Sequence, residues 1–254
     1  LGKYGTNHMR IESSLVGGRG EYRRVESITR STTGYSVDSY GLEGLVTEDD
    51  YDNVEAPYDA EYDEMVGLTN LLWLRKEKSL ADTLTSTSII TQYSTLSGTD
   101  QWSDFSGSDP LGNASTARAA IKAGCGKKPN AVIMDDLVYD KIRYHQQLLD
   151  FLGFKYDRPG GLSDQELASA LGVQRIIIAD CSYESAVEGQ VSSLAAIWGK
   201  HMVFGVFPEQ AQVRQISVGY RVQMASRPAR RVFKFPNNNP PTSLGMTCDD
   251  SFDF

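Results

Sequence analysis

Hydrophobic positions along the chain fall into two periods, and the longest helical stretch lies in the first third. Tyr58, Tyr62, Met65, Leu68, Leu72, Leu80 and Leu84 recur mostly at intervals of three or four, the spacing that places side chains on one helical face. Pro57 fits a first-turn position, and Asp49, Asp50, Asp52 and Glu55 crowd the start, where negative charge suits the helix dipole. The pattern predicts one helix over residues 54–84, roughly 40 Å long at 1.5 Å per residue. A compact chain of 254 residues has a radius of gyration of about 18 Å, so this helix crosses the molecule. Gly67 weakens it mid-course by about 1 kcal/mol, which packing must offset.

Upstream, Tyr22, Val25, Ile28 and Thr29, then Tyr35, Val37, Tyr40, Leu42 and Val46, favour strands, with Ser31-Thr32-Thr33-Gly34 as the turn. The reading is a β-hairpin over 21–48 that needs a partner surface, since an isolated hairpin is marginal in water. Residues 1–20 are polar and Gly-rich, an arm with little core of its own. Downstream, 85–99 alternates enough for a strand pair around Ser97-Gly98. Asp109-Pro110 caps a helix to Ala123, and Gly124 stops it.

Residues 131–134 form a short buried strand, and Asp135 or Asp136 caps a helix whose buried side is Leu137, Val138 and Ile142, followed by Leu148, Leu149 and Leu152. Ser163-Asp164-Gln165-Glu166 is a capping box, and its helix ends at Gly172. Residues 175–179 read as a central strand, with further strands over 201–207, 215–224 and 230–235. The tail, with Pro236, Pro240 and Pro241, reads as coil. The fold class is α+β, in two lobes, the first and last segments sharing one.

Composition adds little: 40% hydrophobic and 23% charged residues are ordinary for a folded domain. The net charge of −8 argues against a continuous basic face that grips nucleic acid. Its distribution is more informative. Residues 31–74 hold eleven acids and no Lys or Arg, whereas 191–235 hold seven basic residues and one acid, Glu209. Each run is either a solvated face or half of a complementary pair that sets register between copies. Three cysteines, Cys125, Cys181 and Cys248, form no CxxC pair, and their odd number suits a reduced compartment. No apolar run reaches 18 residues and no signal-peptide pattern opens the chain. The first residue is Leu1, which reads as a start inside a longer frame.

Candidate chemistry fails on spacing. Gly124-Cys125-Gly126-Lys127-Lys128 has Ile121 and Lys128 where a phosphate loop needs Gly and Ser or Thr. Gly17-Gly18-Arg19-Gly20 lacks the strand-then-helix frame of a dinucleotide site. His8, His145 and His201 share no zinc-ligand spacing. His145, between two helices, reads as a surface residue, and His201 as a core-edge one. Cys181 has no nearby base. The acids from Glu48 to Glu64 lack calcium-loop spacing. Trp102 and Trp198 sit in polar, loop-like settings, as core anchors or as subunit contacts, where Trp is enriched. No catalytic, cofactor or metal residue is nominated.

Three phrases in order resemble the major capsid (coat) proteins of tailed bacteriophages, whose Johnson fold is shared with encapsulins and herpesvirus shell proteins. They are Asp100-Gln101-Trp102-Ser103-Asp104 through Ser108-Asp109-Pro110 into Ala117-Arg118-Ala119-Ala120-Ile121; Lys128-Pro129-Asn130-Ala131-Val132-Ile133-Met134 with Val138-Tyr139-Asp140-Lys141-Ile142 and His145; and Glu166-Leu167-Ala168 to Ala170-Leu171-Gly172-Val173, Ile176-Ile177-Ile178-Ala179-Asp180 and Ala196-Ile197-Trp198-Gly199-Lys200. Together they span about residues 100 to 200.

The resemblance implies an N-terminal arm (1–20), an extended loop (21–48), a peripheral domain (49–128) with a spine helix (54–84), and an axial domain (129–224). Residues 225–254 would give a return strand of the peripheral domain and a tail. It implies a structural protein that assembles with copies of itself into pentamers and hexamers of an icosahedral head, and not an enzyme. The head encloses double-stranded DNA without sequence-specific binding, with portal, scaffolding and decoration proteins as further partners and no membrane. Its location is the virion, after assembly in the host bacterial cytoplasm. Candidate intersubunit contacts are Tyr22, Arg24, Tyr35, Tyr40, Asp49, Asp50, Trp102, Trp198, Arg230 and Arg231. The family's Lys–Asn crosslink has no motif to place it here. The alternatives are an encapsulin-like compartment shell, or an unrelated soluble α+β enzyme with His145, Cys181 and His201 as the residues to test.

Overall fold

The computed structural model describes residues 2–4, 11, 24, 30–32, 34, 36–153, 160–210, 215–222, 231–237 and 243–252. The chain divides into two units, residues 1–36 with 208–216, and residues 37–207 with 217–254. In the first, β1 (Gly2–Tyr4) pairs antiparallel with β2 (Arg30–Thr32).

The second unit begins with β3 (Asp38–Val46), α1 (Glu48–Asn53) and α2 (Ala60–Thr85). Then come α3 (Pro110–Cys125), β4 (Ala131–Asp135), α4 (Asp136–Ile142), α5 (Gln146–Phe151), α6 (Asp164–Leu171) and β5 (Arg175–Ala179). It closes with β6 (Ser182–Glu184), β7 (Leu194–Ala196), β8 (Met202–Gly205), β9 (Arg231–Asn237) and β10 (Ser243–Phe252).

Every residue of β4 is buried, because both faces of its sheet are covered. The order is β5-β4-β8, with β4 parallel to β5 and antiparallel to β8. Alternation along a strand sends Val132 and Met134 one way and Ile133 the other. Val132 and Met134 share a core cluster with Ile142, Leu148, Leu167 and Leu171, on the inward sides of α4 to α6, and with Leu162 just before α6. Ile133 meets Ala81 of α2, Ile197 and Trp198. Asn130 locks the strand's entry: its side chain donates to the Phe207 carbonyl and accepts from the Phe207 N–H, each at 2.7 Å.

Helix α2 serves two cores. Leu68 and Leu72 pack with Val46 and Tyr40 of β3, whereas Ala81, with Leu80 and Leu84, packs on the β4 block. At about 100° per residue, Ala81 lies roughly 220° and Leu84 roughly 160° round from Leu68. The two halves therefore bury opposite sides of one helix. The Glu64 side chain of α2 lies directly over Gly44 of β3, where a Cβ would fall 1.9 Å from its Oε1. The sheet beneath α2 has the order β3-β10-β9, all antiparallel.

Local signals hold at Asp109, Asp135, the Ser163–Glu166 capping box and the left-handed Gly172 that ends α6. Several expectations do not hold. The long helix expected over 54–84 starts at Ala60, because Asp59 accepts from Glu61 N–H and Tyr62 N–H and fixes the first turn there. The acids assigned to its start form α1 instead, capped by the reciprocal Thr47–Asp50 pair. α3 runs to Cys125, past Gly124, and stops at left-handed Gly126.

The hairpin predicted over 21–48 is not the pairing found: β2 pairs with β1, and β3 pairs along its length with β10. Most of the hairpin's first arm lies outside the described residues. Residues 85–99 hold turns and one 3-10 turn (Gly98–Asp100) and no strand. β5 is an edge of its sheet, with β4 central. Among described residues, 215–222 carries a single bridge and no strand. The tail expected as coil supplies β10, the middle strand of its sheet.

The rotation of α2 has a direct check in adjacent residues, since Leu72 is 4% exposed and Leu71 55% exposed. Leu72→Ala should lower unfolding free energy by about 2–4 kcal/mol and Leu71→Ala by less than about 0.5 kcal/mol, read by urea denaturation. Gly67 faces open space, so Gly67→Ala should raise stability by about 0.5–1 kcal/mol.

Candidate functional site

Two polar networks in the second unit gather the residues whose chemistry drew attention in the sequence. The first surrounds His145, which is fully buried and not at the surface as expected. Its ring caps α5: Nδ1 accepts from the Gln147 N–H at 3.2 Å. Nε2 therefore carries the ring proton, and it donates to Ser108 Oγ at 2.8 Å. The Ser108 hydroxyl in turn donates to the Asp104 carbonyl at 2.6 Å. This direction matters chemically. A serine nucleophile gives its proton to histidine, whereas here histidine donates to serine. The pair is structural in form.

Burial pushes the His145 pKa down, partly countered by the Asp104 carbonyl and the carboxylates of Asp104 and Asp109. The second network links α2 to the β4 block. Trp198 is 2% exposed, and its indole N–H donates to Glu77 Oε1 at 2.6 Å. Cys181 is exposed, but partial desolvation of its sulfur, then the charges of Glu77 and Asp180, push its thiol pKa up. A raised pKa keeps the thiol protonated and a poor nucleophile.

The phosphate-loop lookalike is the C-terminal end of α3, where the Gly126 N–H closes on the Lys122 carbonyl at 2.8 Å. A helix C-terminus presents carbonyls, which repel phosphate. His201 is exposed just before β8. Among the described residues no group of three or more His, Cys, Asp or Glu is placed to hold a metal ion. Nor is any helix among them long and apolar enough to cross a membrane.

The candidate contact residues scatter. Arg24, Asp49 and Asp50 are exposed, with Asp50 tied into the α1 cap and its pKa lowered by hydrogen bonds from Thr47. Tyr40 is half-buried, with the Arg75 guanidinium 4.6 Å from its ring centroid. Trp102 packs against the helical core, its indole nitrogen buried without a partner among the described residues. Trp198 is a core residue of the α2 junction. Arg231 opens β9. Tyr22, Tyr35 and Arg230 lie outside the described residues.

Other exposed apolar groups escaped sequence reasoning. Tyr62 and Trp73 are exposed on the first half of α2, on the side away from β3, and Val187, Val191 and Leu194 are exposed around the β6–β7 hairpin. Their spacing in the sequence is that of core residues. Only the tertiary fold shows that, among the described residues, nothing covers most of their surface.

No protein-family model matches the chain. Curated relatives include the major capsid protein of Burkholderia phage BcepMu, 23% identical over 234 residues, or 89% of this chain and 73% of that protein. The major capsid protein of Pseudomonas phage JBD67 is 26% identical over 197 residues, or 76% of this chain. That match spans 62% of the relative, less than two thirds of its length.

Among solved structures, a phage-related protein of Bordetella bronchiseptica RB50 superposes with a TM-score of 0.66 at 20% identity, covering 86% of this chain and 71% of that one. A chain from the capsid of cyanophage P-SCSP1u gives a TM-score of 0.55 at 12% identity, covering 99% of this chain and 77% of its own. A chain from Mycobacterium phage Che8 gives 0.52 at 12% identity, covering 99% and 78%. The mixed helix-and-strand fold is thus one found in phage capsid structures.

The Trp198–Glu77 bond gives a stability test of the α2 junction. Trp198→Phe keeps most of the packing but strips a half-buried carboxylate of its donor, and should cost about 1–3 kcal/mol by urea denaturation. Glu77→Gln, which keeps an acceptor, should cost less.

Proposed function

We propose that this homologue of phage major capsid proteins is itself the shell subunit of a tailed-phage head. The observation that carries the reading is the similarity to a curated major capsid protein over 89% of the chain. The fold likeness to a phage capsid supports it independently of sequence. Function then lies in contacts between copies. Head-to-tail, heterologous contacts close into rings of five and six, and rings tile an icosahedral shell. No step of bond-breaking chemistry is asked of the chain, and the direction of the Ser108–His145 hydrogen bond agrees with that.

In this reading the Johnson-type plan maps onto the chain as an arm (1–20), an extended loop (21–48), a peripheral domain (49–128), an axial domain (129–224) and a returning segment (225–254). Helix α2 is the spine of the peripheral domain. The exposed valines by the β6–β7 hairpin belong to the axial domain, where they suit contact with neighbouring copies. Arg24, Tyr40, Asp49, Asp50 and Arg231 remain the proposed contacts among described residues, and Tyr22, Tyr35 and Arg230 are proposed as well. The net charge of −8 suits a container that holds double-stranded DNA without gripping it. Portal, scaffolding and decoration proteins are the further partners, and the virion is the location.

The test is assembly. The full chain, concentrated under low-salt and high-salt conditions, should sediment as rings or shells, visible by negative-stain electron microscopy. Monomers alone across those conditions, with no shells, would overturn the proposal. Asp49→Lys alters an exposed carboxylate that takes no part in the α1 cap. It should cost at most about 1 kcal/mol of monomer stability, through the lost interaction with the α1 dipole, and raise the concentration needed for assembly several-fold, since rim charges act on association more than on folding.

A further inference from the structure

The segment 98–109 has no helix or strand beyond its one 3-10 turn, yet it carries Trp102 against the helical core. Its attachment to the α4–α5 corner runs through few atoms. Ser108 Oγ accepts from His145 Nε2, the Phe105 ring packs edge-on to the imidazole at 5.6 Å, and Gln147 Nε2 donates to Asp109 Oδ1 at 2.6 Å. Gln147 Oε1 also accepts from the Leu111 N–H at 3.2 Å. His145 is the hub, since the same ring caps the helix that carries Gln147.

We propose that His145 is an acid-released latch that holds segment 98–109, and Trp102 with it, on the α4–α5 corner. A neutral ring makes both of its bonds, one as donor and one as acceptor. A second proton lands on Nδ1, the only nitrogen free to take it, and sets N–H against the Gln147 N–H. The α5 cap is then lost, and Gln147 loses its fixed position under Asp109 and Leu111.

The charged groups that act on the ring are the carboxylates of Asp104 and Asp109, both on the segment. The α4–α5 turn offers the Ile142 carbonyl, which accepts from the His145 N–H at 3.1 Å. Arg143 turns instead to the Tyr139 and Tyr144 rings and the Gly160 carbonyl. Both carboxylates already have tasks. Asp104 accepts from Ser106 N–H and Gly107 N–H, and Asp109 caps α3 through the Gly112 N–H. Both carboxylates favour a charged ring and so oppose release in part, but swinging either into a bond with the imidazolium would undo a turn of the segment.

Burial holds the latched ring's pKa below its ordinary value. The latched state therefore binds fewer protons than the released one. The hold is full above about pH 6.5, the ordinary histidine value, and is lost as pH falls through that value towards the latched pKa. With a released ring at about 6.5 and a latched ring that stays neutral, the opening equilibrium rises up to about thirtyfold at pH 5. This device does not depend on whether the chain builds a shell.

Hydrogen exchange by mass spectrometry on the unassembled full chain from pH 7.5 to 5, corrected for intrinsic rates, tests it. Peptides covering 98–109 should open progressively below about pH 6.5, while β4 peptides stay flat. His145→Asn keeps a short capping acceptor that does not titrate, and should remove the pH dependence. A flat wild-type profile, or an equal rise in the Asn variant, overturns the proposal. Should that variant fail to fold, Ser108→Ala retains the ring but cuts its tether. It should open 98–109 already at pH 7.5 and bring the His145 pKa, read by NMR, towards 6.5; an unmoved pKa overturns the proposal.

Discussion

A strand buried on both faces must be covered twice, and β4 imposes that requirement on the second unit. Val132 and Met134 draw the inward sides of α4, α5 and α6 to one face. Ile133 draws α2 and the segment bearing Trp198 to the other. A helix that must cover Ile133 with its second half, and Leu68 and Leu72 against β3 with its first, cannot keep one apolar stripe along its length. This is why the single apolar face expected from the sequence splits in two along α2, and why the helix buries only Leu68, Leu72 and Ala81 among its 26 residues. It works as a beam between two cores and belongs wholly to neither.

That division also decides which surfaces are left over. The side of α2 that faces away from β3 in its first half continues the side covered by the β4 block in its second. Tyr62 and Trp73 lie on the uncovered part and stay exposed. A monomeric protein gains little by leaving large aromatic groups in water. A subunit of a closed shell meets neighbours over much of its surface. The exposed apolar groups and the acidic run of α1 therefore fit the proposed shell better than an isolated molecule.

What was legible in the sequence was local. Asp135, the Ser163–Glu166 box and Gly172 each act on backbone groups within a few residues, so the residue types alone identify them. The failures of strand pairing and order involve distant partners, whereas the helix ends that moved did so by a few residues. β10 lacks clean alternation and carries adjacent aspartates, yet it is the middle strand of its sheet because β3, some 200 residues earlier in the chain, supplies its ladder. The Ile176-Ile177-Ile178 run looks like the centre of a sheet, but the strand covered on all sides is β4. Asp59, already present in the sequence, wins the α2 start over Pro57 because its carboxylate bonds two backbone N–H groups at once.

The polar residues of the candidate network were the hardest to read, for a reason that bears on function. Local context made His145 a surface group and left Trp102 and Trp198 in polar settings, yet His145 and Trp198 are buried, and Trp102 packs against the core. Each stands where an irregular segment must be fixed to a regular one. Backbone in such segments has no ladder to satisfy it, so side chains must supply the missing partners. His145 does this for α5 and the 98–109 segment, Glu77 and Trp198 for the α2 junction, and Asn130 for the entry to β4. A shell subunit has particular need of such fastenings. Its contacts with neighbours act on exposed segments, and those segments are tied to the core by a few polar bonds and by the packing of residues such as Trp102. The phrases that first suggested the family contain these residues: Trp102, Asn130, His145 and Trp198 are the positions where irregular chain is tied to framework.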